Sequence, residues 1–198
     1  MDITKIFKSK ARKALFRIYF TNPENSYYLR ELERLLDTPV SIIRKELKSL
    51  EKSGIFISNK KANLLYFSLN KNYLLYNELK RIVFKTIGIQ GSLQQMLWSL
   101  ENIEVSFIYG SYAKNQATAL SDIDLFIKGD VDEDKLITKI NKLEKNLERE
   151  INYNIYSKKD FLQKKNDQDP FIEDLLENKK IFLIGDSNDL WKLYKRLF

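Results

Sequence analysis

The chain has 198 residues, of which 43% are hydrophobic and 31% are charged, as in an ordinary globular protein. Its length suits one large domain or two small ones. It contains no cysteine and no histidine, which excludes disulfides, thiolate or imidazole metal sites, and Ser-His-Asp or Cys-His catalysis. Any catalysis therefore depends on carboxylates, hydroxyls, Lys, Arg, Tyr or a metal bound through oxygen. No secretory signal and no long apolar run is visible, so we expect a cytoplasmic protein without membrane contact.

Charge divides the chain into two halves. Residues 1–86 carry 18 Lys and Arg against 8 Asp and Glu, whereas residues 87–198 carry 16 against 19. The first half is therefore strongly basic and the second mildly acidic. A basic half suits a polyanion such as nucleic acid, and the asymmetry indicates two domains with different partners.

The basic half predicts three helices, a hairpin and a further helix. The predicted helices span about residues 10–20, 28–36, 40–53 and 73–86, and short strands cover residues 55–57 and 64–67. Ser9 is the expected cap of the first helix, and Gly54 stands where the third helix should end. The third helix should bury Ile43, Leu47 and Leu50. Residues 59–63 are predicted to form a polar turn between the strands.

This order of elements resembles a winged helix-turn-helix domain of the small transcriptional-regulator type. The resemblance implies that the third helix enters the major groove of duplex DNA while the turn contacts a phosphate or the minor groove. The candidate DNA-binding residues are Ser41, Arg44, Lys45 and Lys48 on the helix and Lys60 and Lys61 in the turn. Winged helices also serve as dimerisation or protein-docking modules, which leaves a second interpretation open.

The acidic half predicts alternating helices and strands after a linker at residues 88–92. The predicted strands cover residues 105–109, 122–127, 151–156 and 181–184, and the predicted helices cover residues 92–100, 132–149, 157 onward, 170–176 and 187–197. Interleaved strands and helices favour an α/β or α+β sheet domain. Trp98 and Trp191 are expected in its core, and the strand at residues 181–184 is expected to be buried.

The chemical signal lies between two of these strands. Gly110-Ser111 follows the first, and Asp122-Ile123-Asp124 opens the second after ten residues. Residues i and i+2 of a strand share one face, about 6.6 Å apart, so both aspartates can bind the same divalent ion. Gly110 lets the backbone approach a phosphate, and Ser111 offers a hydroxyl and an N–H at a predicted helix start.

The segment from Phe107 to Ala113, continued by Ser121 to Leu125, resembles the minimal nucleotidyltransferases of the DNA polymerase β superfamily. These transfer a nucleoside monophosphate from an NTP to a hydroxyl group. The resemblance implies that Asp122 and Asp124 are catalytic and bind Mg²⁺, with Mn²⁺ as an alternative. It also implies that Gly110 and Ser111 contact the triphosphate, of ATP for example. Lys114 is a further candidate phosphate contact, with an ordinary surface charge as the alternative. The predicted fold is thus a winged helix-turn-helix at residues 1–88 followed by an α/β nucleotidyltransferase domain with a small mixed sheet at residues 89–198.

Two positions depart from the family pattern. Asn115 stands where a glycine is usual, which predicts a differently shaped loop. Asn152 stands where the third strand usually carries an aspartate, and an uncharged amide cannot act as a general base. Glu150 shares that face of an ideal strand and is a candidate to replace part of the missing charge.

The sequence therefore leaves two interpretations. The chain is either a DNA-tethered nucleotidyltransferase or a catalytically degenerate transcriptional regulator. In the second case it resembles antitoxin-like proteins that pair with HEPN-type toxins, or it forms a homodimer.

Overall fold

The computed structural model describes residue 7, residues 9–118 and residues 121–191, with Trp191 described by its backbone alone. The chain divides into two compact units. The first comprises Met1–Ser92 with Asn146–Glu148, and the second comprises Leu93–Lys145 with Arg149–Phe198. That residues 1–88 and 89–198 are functional domains stays a prediction.

The first unit contains four helices and a small sheet. In chain order these are α1 (Lys10–Thr21), β1 (Tyr27–Tyr28), α2 (Leu29–Leu36), α3 (Val40–Lys52), β2 (Phe56–Lys61), β3 (Leu64–Leu69) and α4 (Tyr76–Thr86). The strands lie in the order β1-β3-β2 and both pairings are antiparallel. The predicted helices are all present, whereas β1 was not predicted.

Helix ends in this unit follow local chemistry. The Ser9 hydroxyl accepts a hydrogen bond from the Arg12 N–H at 3.1 Å and caps α1 as predicted. Asp37 adopts a positive φ of 45° between α2 and α3. Gly54, with φ of 78°, follows α3. Its N–H reaches the Glu51 carbonyl while the next N–H reaches that of Leu50, a Schellman ending. The helix buries Ile43, Leu47 and Leu50, as predicted.

The hairpin differs from the prediction. Strands β2 and β3 pair up to Lys61 opposite Leu64, so the turn is only Ala62 and Asn63. Lys60 and Lys61 therefore belong to β2, and the prediction of a turn over residues 59–63 was wrong. Both faces of this end of the hairpin are exposed. Its side chains therefore do not alternate between buried apolar and exposed polar residues, although its backbone is paired.

The predicted linker at residues 88–92 ends where the two units divide, but most of it is helical. Helix α5 (Ile89–Leu97) begins immediately after α4 and contains the division between the units. A Cβ on Gly91 would overlap the Thr86 carbonyl, and a Cβ on Gly88 would lie 2.8 Å from the Val83 carbonyl. These glycines permit a close turn between helices, so they do not mark a flexible connection.

The second unit is built on a mixed four-stranded sheet. After α5 come β4 (Ile103–Tyr109), α6 (Gly110–Ala113), β5 (Ile123–Gly129), α7 (Glu133–Leu147), β6 (Ile151–Tyr156), α8 (Lys158–Asn166), α9 (Pro170–Glu177), β7 (Ile181–Ile184) and α10 (Ser187–Trp191). The strand order is β6-β5-β4-β7. Strands β5 and β6 are parallel, joined through α7, and the other two pairings are antiparallel. A small mixed sheet was predicted and is confirmed.

Helices cover this sheet with regular apolar faces. The inward face of α7 was predicted correctly, since its four expected residues are at most 8% exposed: Leu136, Ile140, Leu143 and Leu147. A separate cluster around Phe107 and Phe126 includes Phe161 of α8 and Ile172 of α9. This cluster joins α8 and α9 to β4 and β5, the two strands whose ends carry the predicted site.

Several finer predictions for this unit were wrong. Strand β7 lies at the edge of the sheet, and only its Leu183 is buried. The prediction of a buried strand was therefore wrong. The cap of α10 is Asp186, whose carboxylate accepts the N–H groups of Asn188 and Asp189. Ser187 is instead the first residue of that helix, whose predicted end at residue 197 lies outside the described residues. Trp98 is 69% exposed and not in the core, and the side chain of Trp191 is outside the described part.

Candidate functional site

Strand pairing in the second unit assembles the predicted site. Antiparallel pairing of β4 and β5 places Tyr109, the last residue of β4, opposite Asp124. Parallel pairing of β5 and β6 places Asn152 on the other side of Asp124. Asp122 precedes β5 by one residue, outside the strand into which it was predicted to fall, while Ile123 is fully buried as expected. Gly110 follows Tyr109 directly, so the predicted groups meet at one end of the sheet.

The backbone of Gly110 lies directly against the side chain of Asp124. Its φ is +66°, a conformation that favours glycine. A Cβ built on it would overlap the Asp124 Oδ2 atom. The backbone of the β4–α6 turn and the carboxylate of β5 therefore lie in direct contact. Because both the torsion and the space demand it, this position accepts glycine alone without displacing Asp124.

The two aspartates interact electrostatically. Asp122 is exposed and Asp124 is half-buried. Burial raises the pKa of Asp124, and the neighbouring Asp122 carboxylate raises it further because two like charges are held together. Such a pair disfavours full ionisation until a cation neutralises it. Two hard oxygen ligands at this spacing suit a divalent ion such as Mg²⁺.

Asn152 lies beside this pair, where the third carboxylate was predicted to be missing. Its Nδ2 is 3.5 Å from the Asp122 Oδ2 atom, a weak hydrogen bond. Within the described ranges, no cluster of three or more acidic side chains is arranged to hold a metal. The suggestion that Glu150 replaces part of the missing charge stays a prediction. Glu150 contributes its backbone carbonyl, which accepts the Ile123 N–H at 2.9 Å.

The loop after α6 keeps a shape that the sequence did not predict. Asn115 adopts a φ of +58°, a left-handed conformation that glycine and asparagine tolerate best. The Gln116 N–H donates to the Ser111 carbonyl at 2.8 Å. Asn115 therefore takes a conformation that glycine also adopts readily, and a loop shaped differently from the family pattern stays a prediction.

Ser111 and Lys114, the other predicted phosphate contacts, are placed differently from each other. Ser111 is half-buried in the first turn of α6, next to Gly110. Lys114 follows the helix and is exposed. Ser111 thus lies with the aspartates at the strand end, whereas Lys114 lies on the surface next to it.

Two interactions near the aspartates were not found from the sequence. Burial raises the pKa of Tyr112, and nearby Arg149 opposes the shift while Asp122 adds to it. Arg149 is only 9% exposed, so the site includes an almost buried cation. Asn154 donates a hydrogen bond of 2.8 Å to the Tyr109 hydroxyl. No local pattern marks Arg149, because it precedes β6 in the chain and approaches Tyr112 only through the folded sheet.

Comparison with known proteins agrees with this geometry. Residues 91–188 match the family model described as polymerase beta, nucleotidyltransferase. The second unit is a nucleotidyltransferase domain. The matched range includes every strand of its sheet and the whole turn from Gly110 to Asp124. Searches of curated proteins and of solved structures found no match to the chain.

The candidate DNA-binding residues of the first unit lie outside that matched range. Four of them are exposed at helical spacing on α3, on a stripe distinct from the buried residues of that helix: Ser41, Arg44, Lys45 and Lys48. Lys60 and Lys61 are also exposed, at the end of β2. Successive strand residues point to opposite faces, so these two lysines do not share one surface.

In the part of the chain that the structure describes, no helix is both long and apolar enough to cross a bilayer.

Proposed function

We propose that the nucleotidyltransferase domain binds an NTP together with Mg²⁺ and transfers a nucleoside monophosphate to a hydroxyl acceptor. The observation that carries this proposal is the contact between Gly110 and Asp124, with Asp122 beside them. It places an open backbone turn, suited to phosphate, against two carboxylates, suited to a cation. Ser111 and Lys114 are the further candidate phosphate contacts.

The donor set suits the metal. Asp122 and Asp124 would hold Mg²⁺ or Mn²⁺, since hard divalent ions prefer carboxylate oxygens and the mutual repulsion of this pair favours a bound cation. When bound, the ion supplies neutralisation of phosphate charge and polarisation of the phosphoryl oxygens. The raised pKa of Asp124 means that cation binding competes with a proton at this carboxylate.

The transfer forms a bond between the acceptor oxygen and the α-phosphorus. It breaks the bond between the α-phosphorus and the oxygen that bridges the α- and β-phosphates. Pyrophosphate leaves, and the acceptor proton passes to solvent, because Asn152 cannot accept it. Gly110 and Ser111 would position the triphosphate. Catalysis in this site therefore rests on positioning and charge neutralisation.

For the first unit we propose a winged helix-turn-helix that tethers the enzyme to duplex DNA. The support is its order of elements, with α2 and α3 joined by a short turn and followed by the β2–β3 hairpin. The exposed stripe of α3 presents Arg44, Lys45 and Lys48, which suit phosphates and base edges of a major groove. Lys60 and Lys61 are the further candidate DNA contacts at the hairpin end, where they lie on opposite faces of β2.

Asn152 favours a second function. With two carboxylates in place of three, the domain can bind a nucleotide without transferring it efficiently, and the chain would then act as a nucleotide-sensing transcriptional regulator. A HEPN-type toxin or a second copy of the chain stays a predicted partner for that case.

Calorimetric titration tests the site without knowledge of the acceptor. ATP and GTP are titrated with and without Mg²⁺ into wild type, Asp122→Asn and Asp124→Asn. Asp130→Asn is the matched control, because Asp130 is an exposed acid of the same unit beyond the opposite end of β5. We expect metal-dependent binding in wild type and the control, and its loss in both site variants.

Unchanged binding in the site variants would contradict the site assignment. Binding without pyrophosphate release on any nucleic-acid, protein or small-molecule hydroxyl tested would favour the regulator over the enzyme.

A further inference from the structure

The three-stranded sheet of the first unit has one buried face and one open face. Residues paired across antiparallel strands share a face. The row of Tyr27, Phe67 and Ser58 lies on the inner face, where both aromatic rings are buried. The neighbouring row of Tyr28, Tyr66 and Asn59 therefore lies on the other side of the sheet.

This outer face combines aromatic, cationic and apolar side chains. It includes Tyr28, Ile57, Asn59, Lys61, Leu64 and Tyr66. Both tyrosines are half-exposed. Ile57 and Leu64 are 49% and 44% exposed, which is unusual for apolar side chains on adjacent strands. No member of this set is acidic.

The tyrosines are arranged between two cations. The rings of Tyr28 and Tyr66 lie 5.6 Å apart at an interplanar angle of 67°. The Lys61 Nζ atom lies 5.3 Å from the centroid of the Tyr66 ring. At the other end, the Arg34 guanidinium donates a hydrogen bond of 3.2 Å to the Tyr28 hydroxyl. An aromatic surface is thus bordered by positive charge on two sides.

We propose that this outer face binds single-stranded nucleic acid. Unpaired bases stack on Tyr66 and Tyr28 and contact Ile57 and Leu64, while Lys61 and Arg34 contact the phosphates on either side. Aromatic rings beside cations are the combination that single strands require, because every unpaired base offers a flat apolar surface and every link carries a negative charge.

Charge and shape favour this ligand over other polyanions and over protein. Bases in a duplex are stacked on one another and offer no free faces. Duplex DNA would therefore contact the cationic side chains but not the aromatic rings. Residues 1–86 carry 18 cationic and 8 anionic side chains. This positive net charge favours a polyanion over an ordinary protein surface as the ligand. The proposal does not depend on the transfer reaction or on duplex binding by α3.

Fluorescence anisotropy with a labelled single strand of about 12 nucleotides tests it on the full chain. Tyr66→Ala should weaken binding by roughly 5- to 150-fold, the range expected for the loss of one stacked base. Tyr66→Phe keeps the ring and should bind like wild type. Lys61→Ala should lower the affinity and reduce the salt dependence of binding. Lys80→Ala, which removes an exposed lysine from α4, should change neither.

Thermal unfolding checks that each variant is folded, and Lys61→Ala compared with Lys80→Ala provides the test if Tyr66→Ala is not. The same affinity for Tyr66→Ala and wild type would overturn the proposal, as would equal losses in Lys61→Ala and Lys80→Ala. A change in sedimentation of Tyr66→Ala without a change in oligonucleotide affinity would overturn it in favour of contact between copies of the chain. Equal weakening of single-strand and duplex binding by Tyr66→Ala would also contradict it.

Discussion

The two units arrange their candidate contacts in opposite ways. In the nucleotidyltransferase domain, Gly110, Asp122, Asp124 and Asn152 meet at the ends of paired strands, where Gly110 and Asp124 are partly buried. In the first unit, the candidate residues are exposed and spread along α3 and the hairpin. A convergent site loses its function when one atom is displaced, whereas a distributed surface weakens by degrees. The substitutions below separate these two behaviours.

The largest expected effect comes from Gly110→Ala. The new methyl would overlap the Asp124 carboxylate and would also require a positive φ. We expect the Mg²⁺-dependent affinity for ATP to fall by about 100-fold or more. Displacing a metal-binding carboxylate should cost at least as much affinity as removing a residue that orients it. Calorimetry measures the loss.

Gly185→Ala is the control for backbone strain in the same domain. Gly185 has a similar φ of +70°, but its added Cβ would lie 3.1 Å from the Glu104 carbonyl and 3.3 Å from the Asp189 Oδ2 atom, not against Asp122 or Asp124. It should lower stability and leave ATP binding intact. If both variants bind ATP equally, the site is not convergent at Gly110.

The next effect is a graded one in the first unit. Replacing Arg44, Lys45 and Lys48 by Ala, singly and together, should weaken duplex binding stepwise. The slope of log affinity against log salt should flatten by about 0.9 for each phosphate that the variant can no longer neutralise. Filter binding or anisotropy across a salt series measures both quantities. Loss of all binding from one single substitution would show a convergent site here too.

A smaller gain is expected from Asn152→Asp. This restores a third carboxylate opposite Asp124 and next to Asp122. Added ligand charge should tighten Mn²⁺ or Mg²⁺ binding on the order of 10-fold and increase pyrophosphate release if the acceptor is present. Asn154→Asp, two pairs further along β6, is the matched control, because Asn154 pairs with Phe126. Equal metal affinity in both variants would show that Asn152 does not face the metal.

The smallest effect concerns stability without metal. The pKa of Asp124 is raised, so its contribution to stability is present at acidic pH and is lost as pH rises through that pKa. Asp124→Asn should therefore stabilise the metal-free protein at neutral pH by up to about 1 kcal/mol, a modest gain because the group is partly solvated. Denaturant unfolding with a chelator present should show the gain shrinking as pH falls. A variant less stable than wild type at neutral pH would contradict the repulsion between the two aspartates.

Sequence patterns predicted the elements that bury one regular face. Helix α7 was placed to within two residues, because its buried apolar side chains repeat at helical spacing. Strand β6 was placed to the residue, although only Ile151 of it is buried. The predictions that failed lie where backbone and side chains are decoupled. The end of the β2–β3 hairpin is paired but exposed on both faces, and Gly88 and Gly91 serve close packing where a linker was predicted.

The candidate site was predictable for a related reason. Gly110, Asp122 and Asp124 lie close in sequence and on two successive strands, so one strand pairing brings them together. Asn152 followed from the next strand. Arg149 and the contact of Asn154 with Tyr109 were missed, since they depend on the rotation and packing of whole elements. The left-handed φ of Asn115 was missed because asparagine adopts it less often than glycine.

The position of Asn152 has an evolutionary consequence. Strand β6 is at the edge of its sheet, so the residue at 152 has a neighbouring strand on one side only. Asparagine and aspartate are nearly the same size and their codons differ by a single base. The step between a two-carboxylate and a three-carboxylate site is therefore short in mutational terms and disturbs no packing. A lineage carrying this fold can therefore lose the third charge and regain it later by single base changes.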